Sequence, residues 1–312
     1  MGVFVALFDL GQVSRSLLRL KLGHLGLAAA VFLGSYMVRS LRWQLLLRPM
    51  GRFPFGQVRD VLLTGFMVNN LLPARAGELA RALVLWKVAG ASRRGALATV
   101  GIERLFDGIV LIGLLSLVGA LFEVPPWTRK LGHVTTVMLV ALAAFAAWLA
   151  YHHRSLLAAM KAVLRGLFVP LRARERVARF MERFVDGTGA LRRPALLFGV
   201  LGLSLVIWAM EVVVYYTMMR GFGIALPVWV ATLTLSVTNF GIAVPSAPGH
   251  VGVYEAACSG ALIAVGVDKE LALSYAIGVH LMLFVCITGS GLLTMWRMGL
   301  GLEQVTGGHE KA

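Results

Sequence analysis

Charged residues are scarce in this chain. They make up 14% of its 312 residues, whereas a soluble domain carries about 25%. Hydrophobic residues reach 58%, above the roughly 45–50% of soluble domains. The composition excludes a water-soluble protein. It predicts an integral membrane protein whose helices each use about 20 mostly apolar residues to cross the bilayer.

Acidic residues are the scarcer of the two charged classes, with 15 Asp and Glu against 30 Lys and Arg and a net charge of +15. Cytoplasmic loops of membrane proteins collect Lys and Arg, so the excess indicates topology and not a nucleic-acid partner. The largest group of basic residues is at 152–193, a segment that contains ten basic and three acidic residues. We predict a basic cytoplasmic loop there, with an amphipathic helix along the membrane surface.

Cysteines and catalytic signatures are also few. Cys258 and Cys286 are the two cysteines, and both lie in apolar segments as expected for inert core thiols. The sequence contains no P-loop, GxSxG, HExxH or CxxC pattern. It therefore predicts no catalytic residue, no metal site and no cofactor.

Apolar runs of spanning or near-spanning length recur along the chain. They predict an all-α polytopic membrane protein with about six to eight transmembrane helices in one integral membrane domain, residues 1–312. The runs are 23–41, 96–122, 133–151, 195–218, 228–244 and 271–296.

The basic residues Arg15, Arg19 and Lys21 precede the first run, and five arginines follow it. The five arginines place the end of this span on the cytoplasmic side. A basic segment at its outer end breaks that tendency. We expect a preceding helix, of which the short apolar run 3–8 is the remnant.

Two of the apolar segments are interrupted by helix-breaking residues. Segment 228–267 breaks at Pro245 and Pro248, and segment 58–88 breaks at PARAGE, residues 73–78. Non-helical backbone at membrane depth is tolerated where it is buried in protein or lines a wet cavity. Broken helices are also where transporters bind their substrates. Both segments are therefore predicted re-entrant or broken helices.

The two broken segments resemble each other. Each has Asn at the end of an apolar run, then Pro, small residues, Gly and Glu, and then a new helix. Loop charges predict that they enter the membrane from opposite sides, which is typical of an inverted repeat. The predicted halves are 1–151 and 194–312, with the two hairpins meeting near the midplane.

Several carboxylates and histidines lie in or near these segments. Glu255 could bind a cationic headgroup, carry a proton or cap the restarting helix, and Glu78 has the matching place in the first segment. Glu211 lies deep in a span and needs a partner. His250 could titrate in the second break. His280 is interpreted as a core group with its hydrogen bonds satisfied.

Basic and acidic residues also cluster around the first break. Arg75 and Arg81 could hold a lipid phosphate at a helix N-terminus, or they could be ordinary cytoplasmic charges. Glu103, Arg104 and Asp107 begin the next span. They could form an internal ion pair with the Arg75/Arg81 region, or they could line a substrate or proton path.

The first span ends in arginines. Arg39 and Arg42 are interpreted as side chains that snorkel to the membrane surface, with headgroup binding as the alternative. Three asparagines lie beside the breaks, and we expect them to satisfy backbone groups that the breaks leave free. They are Asn69, Asn70 and Asn239.

Four motifs taken in order resemble the lysylphosphatidylglycerol synthase transmembrane region, also called the flippase-like domain family. They are Arg39-Ser-Leu-Arg42-Trp43, NNLLPARAGELARA at 69–82, Glu103-Arg104-Leu-Phe-Asp107, and Pro245-Ser-Ala-Pro248-Gly249-His-Val-Gly252-Val-Tyr254-Glu255. The resemblance covers nearly the whole chain. Two-part members join a membrane flippase portion to a soluble aminoacyl-transferase domain, and we expect this chain to be a stand-alone membrane member without that domain. The resemblance therefore implies translocation of a lipid or lipid-linked substrate and does not imply aminoacyl transfer. We predict that the protein is not an enzyme and that these motifs contain its substrate-binding residues.

The resulting hypothesis is movement of a phospholipid or lipid-linked substrate between the leaflets of a bacterial inner (cell) membrane. Two alternatives stay open. The protein could be an intramembrane transferase that acts on a lipid carrier, or a non-catalytic membrane partner of a separately encoded lipid-modifying enzyme.

Overall fold

The computed structural model describes residues 9–72, 76–122, 194–243 and 247–306, with three isolated positions at 137, 140 and 141. These residues form ten α-helices and no strand. The helices are α1 Leu10–Leu18, α2 Leu22–Leu47, α3 Phe55–Leu71, α4 Ala76–Ala89, α5 Arg93–Leu121, α6 Pro194–Gly221, α7 Val228–Gly241, α8 Val253–Ile263, α9 Lys269–Arg297 and α10 Leu302–Thr306.

Four helical stretches in the described part of the chain are long and apolar enough to cross a membrane. They are Leu22–Met50, Arg93–Leu121, Ala195–Gly221 and Lys269–Arg297, of 27 to 29 residues each. At ~1.5 Å per residue each is about 40 Å long, enough for the hydrocarbon core and part of the headgroup region. The chain is therefore an all-α polytopic membrane protein, as predicted.

The remaining predicted spans have different outcomes. The run at 133–151 lies outside the described residues, as does the basic loop at 152–193. The run at 228–244 forms the 14-residue helix α7, which is shorter than a span. It belongs to the second broken segment.

The first broken segment is a helical hairpin of α3 and α4, which pack against each other. At Gly77 the backbones approach so closely that a Cβ there would overlap the carbonyl oxygen of Gly65. Asn69 Oδ1 accepts the Gly77 N–H at 2.8 Å. This bond satisfies one of the backbone donors left free at the start of α4. The predicted break thus coincides with the end of α3 and the start of α4.

The second broken segment joins α7 to α8 through a 3₁₀ turn at Pro248–His250. Gly249 and Gly252 have φ of 64° and 87°, and His250 has φ of 57°. Glycine favours this left-handed backbone because it has no Cβ. Gly252 is the N-cap of α8. The chain therefore reverses direction in the turn and restarts a helix at once.

Each contact between helices in the first half of the described chain has a counterpart in the second half. In the first half α2 contacts α3, α3 packs on α4, and α4 contacts α5; in the second half α6, α7, α8 and α9 repeat this order. Across the halves, α2 packs on α6, α3 packs on α9 and α7 packs on α5. Exchanging the halves leaves this pattern of helix contacts unchanged. The opposite orientation of the halves in the membrane stays a prediction.

The two hairpins meet at their breaks. A Cβ on Gly249 would lie 3.3 Å from the carbonyl oxygen of Asn70 at the end of α3. Asn70 Nδ2 also donates to Thr288 Oγ1 on α9 at 3.2 Å. The irregular backbone of the second break therefore lies beside the tip of the first hairpin, which is the contact that the repeat predicted.

Candidate functional site

A cavity of about 350 Å³ lies where the two breaks meet the long helices. Its walls come from α2, α3, α4, α5, α6, α7, α8, α9 and the Pro248–His250 turn. All three asparagines beside the breaks line it: Asn69, Asn70 and Asn239. Its charged or titratable lining residues other than tyrosine are Arg39, Glu78, Arg104, Asp107, Glu211, His250 and His280.

Arg42 joins three helices behind the cavity. Its Nη1 donates to Asp107 Oδ1 on α5 at 2.6 Å and to Ser204 Oγ on α6 at 2.8 Å. Its Nη2 lies 3.5 Å from Glu103 Oε1. The side chain is only 2% exposed. Arg42 therefore holds the Glu103–Asp107 cluster, in the middle of α5, against the first span.

Arg81 pairs with the second carboxylate oxygen of Glu103, the one that Arg42 does not approach. Its Nη2 lies 2.7 Å from Glu103 Oε2, and its guanidinium carbon lies 4.0 Å from the centre of the Trp43 ring. A cation over an indole face is attracted by the ring quadrupole. A Cβ on Gly65 would overlap Cγ of Arg81, so the absence of a side chain there leaves room for it. Arg81 does not line the cavity.

Of the ion pairs that Arg39, Arg42, Arg81 and Arg104 make, the pair of Arg104 and Glu78 is the most accessible. Arg104 Nε lies 3.1 Å from Glu78 Oε1, and its Nη1 lies 3.5 Å from Asp107 Oδ2. The Arg104 side chain is 35% exposed and that of Glu78 is 24% exposed. Both line the cavity. A ligand in the cavity can reach this pair without displacing the buried pairs behind it.

Arg39 and Glu211 form a second buried pair on the cavity wall. Arg39 Nη2 donates to Glu211 Oε1 at 2.9 Å, and Ser35 Oγ donates to the same oxygen at 3.0 Å. The guanidinium also lies 5.4 Å from the Tyr36 ring centre and 5.5 Å from that of Trp208. The prediction that Glu211 needs a partner is confirmed.

The arginine network therefore contains four cations and four carboxylates, each within an ion pair. Its members are Arg39, Arg42, Arg81, Arg104, Glu78, Glu103, Asp107 and Glu211. The predicted internal ion pair with the Arg81 region is present. The snorkelling interpretation of Arg39 and Arg42 is wrong, because they are 7% and 2% exposed and carboxylates of α5 and α6 hold them inside the helix bundle.

Glu255 caps the restarting helix and pairs with a histidine. Its Oε2 accepts the Gly252 N–H at 2.6 Å, and its Oε1 lies 2.6 Å from His280 Nδ1 on α9. The His280 ring stacks on Tyr254 with centres 4.2 Å apart, and the Tyr254 hydroxyl lies 2.7 Å from that of Tyr215. The predicted cap is present. His280 has the expected hydrogen bond, but it also lines the cavity.

The other predicted residues divide into three groups. Gly249 and Tyr254 line the cavity, and Pro248 precedes Gly249 in the turn. Asn239 Nδ2 donates to the Leu235 carbonyl at 2.9 Å. Thus Asn69 satisfies a backbone group at a break as predicted, whereas Asn239 bonds a carbonyl inside α7 and Asn70 bonds a side chain. Arg75 and Pro245 lie outside the described residues.

Sequence reasoning missed several polar partners of these charges. Ser204 and Trp208 lie four apart on α6, and both bond the Arg42–Asp107 pair: Ser204 Oγ accepts from Arg42, and Trp208 Nε1 donates to Asp107 Oδ1 at 3.2 Å. Ser35 lies four residues before Arg39. A serine one turn from a charge in a span is the signal that could have identified Ser35, because residues at this spacing share a helix face. Ser204 carries no such local signal, since no charged residue lies one turn from it.

The fold and the site define a multi-pass α-helical membrane protein with a charged internal cavity. A match to the lysylphosphatidylglycerol synthase TM region covers residues 1–291, and the chain belongs to this family.

Curated relatives agree with this assignment. The chain is 27% identical to "Glycosyltransferase AglD" of Haloferax volcanii, over 74% of this chain and 41% of that protein. It is 25% and 23% identical to two proteins of Methanothermobacter thermautotrophicus, each named "UPF0104 membrane protein". These matches cover 86% and 85% of this chain and 81% and 82% of the relatives. No solved structure matches the chain significantly.

Proposed function

We propose that the protein moves a phospholipid or lipid-linked substrate between the leaflets of the membrane, with the substrate headgroup in the cavity. The observation that carries this proposal is the meeting of two broken helices at a cavity lined by charges of both signs. Ionisable groups inside a membrane domain are costly and typically mark a substrate or ion path. Broken helices at such a cavity are the usual form of a transporter site.

The size of the cavity supports a headgroup as the bound part. Small-molecule sites are usually about 300–1,000 Å³. A cavity of about 350 Å³ is at the small end of that range. In this proposal the polar headgroup occupies it while the acyl or polyprenyl chains stay among lipids outside the protein. The chains then never leave an apolar environment, and the protein shields only the polar part.

Arg104 is the proposed phosphate contact. It lines the cavity, it is the most exposed arginine of the network, and guanidinium groups bind phosphate oxygens in a two-point geometry. Glu78 beside it is the proposed contact for a cationic or hydroxyl-bearing part of the headgroup. Arg81 was, with Arg75, one of two candidate phosphate contacts from the sequence, but it is 1% exposed and paired with Glu103. Its proposed role is to hold Glu103 in place behind the cavity.

The test is a vesicle assay with purified protein and a headgroup-labelled phospholipid whose label is quenched from outside. We expect the protein to raise the rate of lipid movement well above that of empty vesicles. Arg104→Gln and Glu78→Gln should each slow it about 10- to 100-fold, since a charge-assisted hydrogen bond contributes roughly 1.5–3 kcal/mol. Arg59→Gln is the control, because Arg59 pairs with Asp60 away from the cavity. Equal rates with and without protein would contradict the proposal.

A second candidate is an intramembrane transferase acting on a lipid carrier. It is favoured by the similarity to a protein named glycosyltransferase, although the match covers 41% of that protein. In this case Glu78 or Asp107 would act on the reacting group in the cavity. Mass spectrometry of lipids from cells with and without the gene distinguishes the candidates. A lipid with altered covalent structure indicates the transferase, and an unchanged lipid set with altered leaflet distribution indicates translocation.

A further inference from the structure

One carboxylate of the site differs from all others in the kind of cation that it faces. The carboxylates of the arginine network pair with guanidinium groups, which keep their charge in proteins. Glu255 instead pairs with His280 at 2.6 Å. Histidine is the side chain that ordinarily gains or loses its charge between about pH 5 and pH 8. This pair can therefore change the charge of the site, whereas the four arginines cannot.

The pair also connects the cavity to the second hairpin. His280 belongs to α9 and lines the cavity. Glu255 accepts the N–H of Gly252, the residue with a φ of 87° from which α8 starts. A change of charge at His280 therefore acts on the same carboxylate that holds the first turn of α8. The geometry links proton occupancy to the position of the break.

We propose that His280 and Glu255 form a proton-binding site that loads one proton together with an anionic headgroup. This inference rests on the proposed lipid translocation. In the empty site the neutral ring donates its Nδ1–H to the Glu255 carboxylate, and the pair carries a charge of −1. One proton adds to Nε2, which makes the pair neutral. An anionic phosphate then enters a cavity that carries one negative charge less, and the proton leaves from Nε2 when the headgroup has left.

Among the groups around the pair, His280 is the one to which we assign the binding of this proton. On α8, the helix that carries Glu255, the neighbours are Tyr254 and Cys258. Helix α6 contributes Tyr215. Tyrosine and cysteine ordinarily titrate above neutral pH. From the other packed helices, α3 and α7 present the neutral amides Asn70 and Asn239, and α1 meets α9 at the uncharged Val13 and Ser274.

Apart from tyrosines, six other charged or titratable residues line the cavity together with His280. They are Arg39, Glu78, Arg104, Asp107, Glu211 and His250. The arginines and carboxylates among them are held in ion pairs of the arginine network. His250 lies in the Pro248–His250 turn and is the other histidine of the lining.

The experiment uses the full chain in vesicles that contain a pH-sensitive dye and labelled phosphatidylglycerol as the anionic probe. For the wild type we expect lipid movement to rise several-fold from about pH 8 to about pH 6, the range in which histidine ordinarily titrates. Inward lipid movement should acidify the vesicle interior. His280→Gln and Glu255→Gln should lose both responses. His24→Gln should keep them, as a matched control at a histidine outside the cavity lining.

A second readout follows proton binding without transport. With ¹³C-labelled histidine in detergent, the resonance that disappears in His280→Gln should change position with pH in the wild type, and its pH response should differ in Glu255→Gln. Wild-type lipid movement that is independent of pH, without proton uptake, would overturn the inference and leave translocation standing. Absence of any lipid movement in the wild type would overturn both. Both wild-type measurements are independent of whether the variants fold.

Discussion

Arg42 and Asp107 are joined by a 2.6 Å ion pair across 65 residues of sequence. One lies in the first described span and the other in the next, and the pair is almost inaccessible to solvent. A charge in this environment is tolerated only when its partner is fixed opposite it. The pair thus ties α2 to α5 at the rear of the cavity, and it holds the Glu103–Asp107 turn of α5 where Arg104 lines the cavity.

The first prediction concerns this pair. Arg42→Gln leaves Asp107 and part of Glu103 without their cation, so it should lower the free energy of unfolding by about 3–5 kcal/mol. Thermal unfolding of the purified protein in detergent measures the loss. Arg59→Gln breaks a pair in which Arg59 is 27% exposed, and it should cost less than about 1 kcal/mol. Equal losses in the two variants would contradict the assigned burial.

The second prediction concerns Gly65. Alanine at this position would overlap Cγ of Arg81, so Gly65→Ala should push Arg81 off the Trp43 ring and destabilise the protein by about 1–3 kcal/mol. Tryptophan fluorescence and unfolding temperature report the two effects. Gly113→Ala is the matched control, since nothing lies within 4 Å of a Cβ there. That change should be neutral or stabilising by up to about 1 kcal/mol, because alanine favours helix. A stable Gly65→Ala protein with unaltered fluorescence would contradict the close packing of Arg81 against Gly65.

The third prediction separates backbone conformation from the contact between the hairpins. Gly249→Ala and Gly266→Ala both place a side chain on left-handed backbone, at φ of 64° and 89°, which costs about 1–2 kcal/mol. A Cβ at residue 249 also meets Asn70 and Phe284, whereas one at residue 266 meets nothing within 4 Å. Both variants should lose similar stability, but only Gly249→Ala should slow lipid movement in vesicles. Equal slowing of lipid movement in the two variants would show that lost stability, and not the contact with Asn70 and Phe284, is the cause.

Much of the fold could be predicted from the sequence because hydropathy and helix breakers act locally. Spans near 23–41 and 271–296 follow from apolar length, and the two breaks follow from proline and glycine. The partner of Glu211 could be expected but not named. Arg39 lies 172 residues away, and no local pattern records such a pairing.

The charged site was harder to predict for the same reason. Near the end of a span, an arginine that snorkels and an arginine that enters the bundle look alike in sequence, because only the partner on another helix decides between them. Arg42 was misinterpreted on this ground. His280 was missed as a partner of Glu255 because the residues lie 25 positions apart on two helices, α8 and α9, that are packed together by the connection between them.

The most direct test of headgroup passage through the cavity is to block it. Ala243 is an exposed, small residue on the cavity wall, so Ala243→Trp can fill the space without overpacking the core. Ala264 is also exposed and lies at the end of α8, away from the lining. Labelled-lipid movement should fall to the level of empty vesicles in Ala243→Trp and stay at the wild-type rate in Ala264→Trp. Wild-type movement in Ala243→Trp would contradict the account.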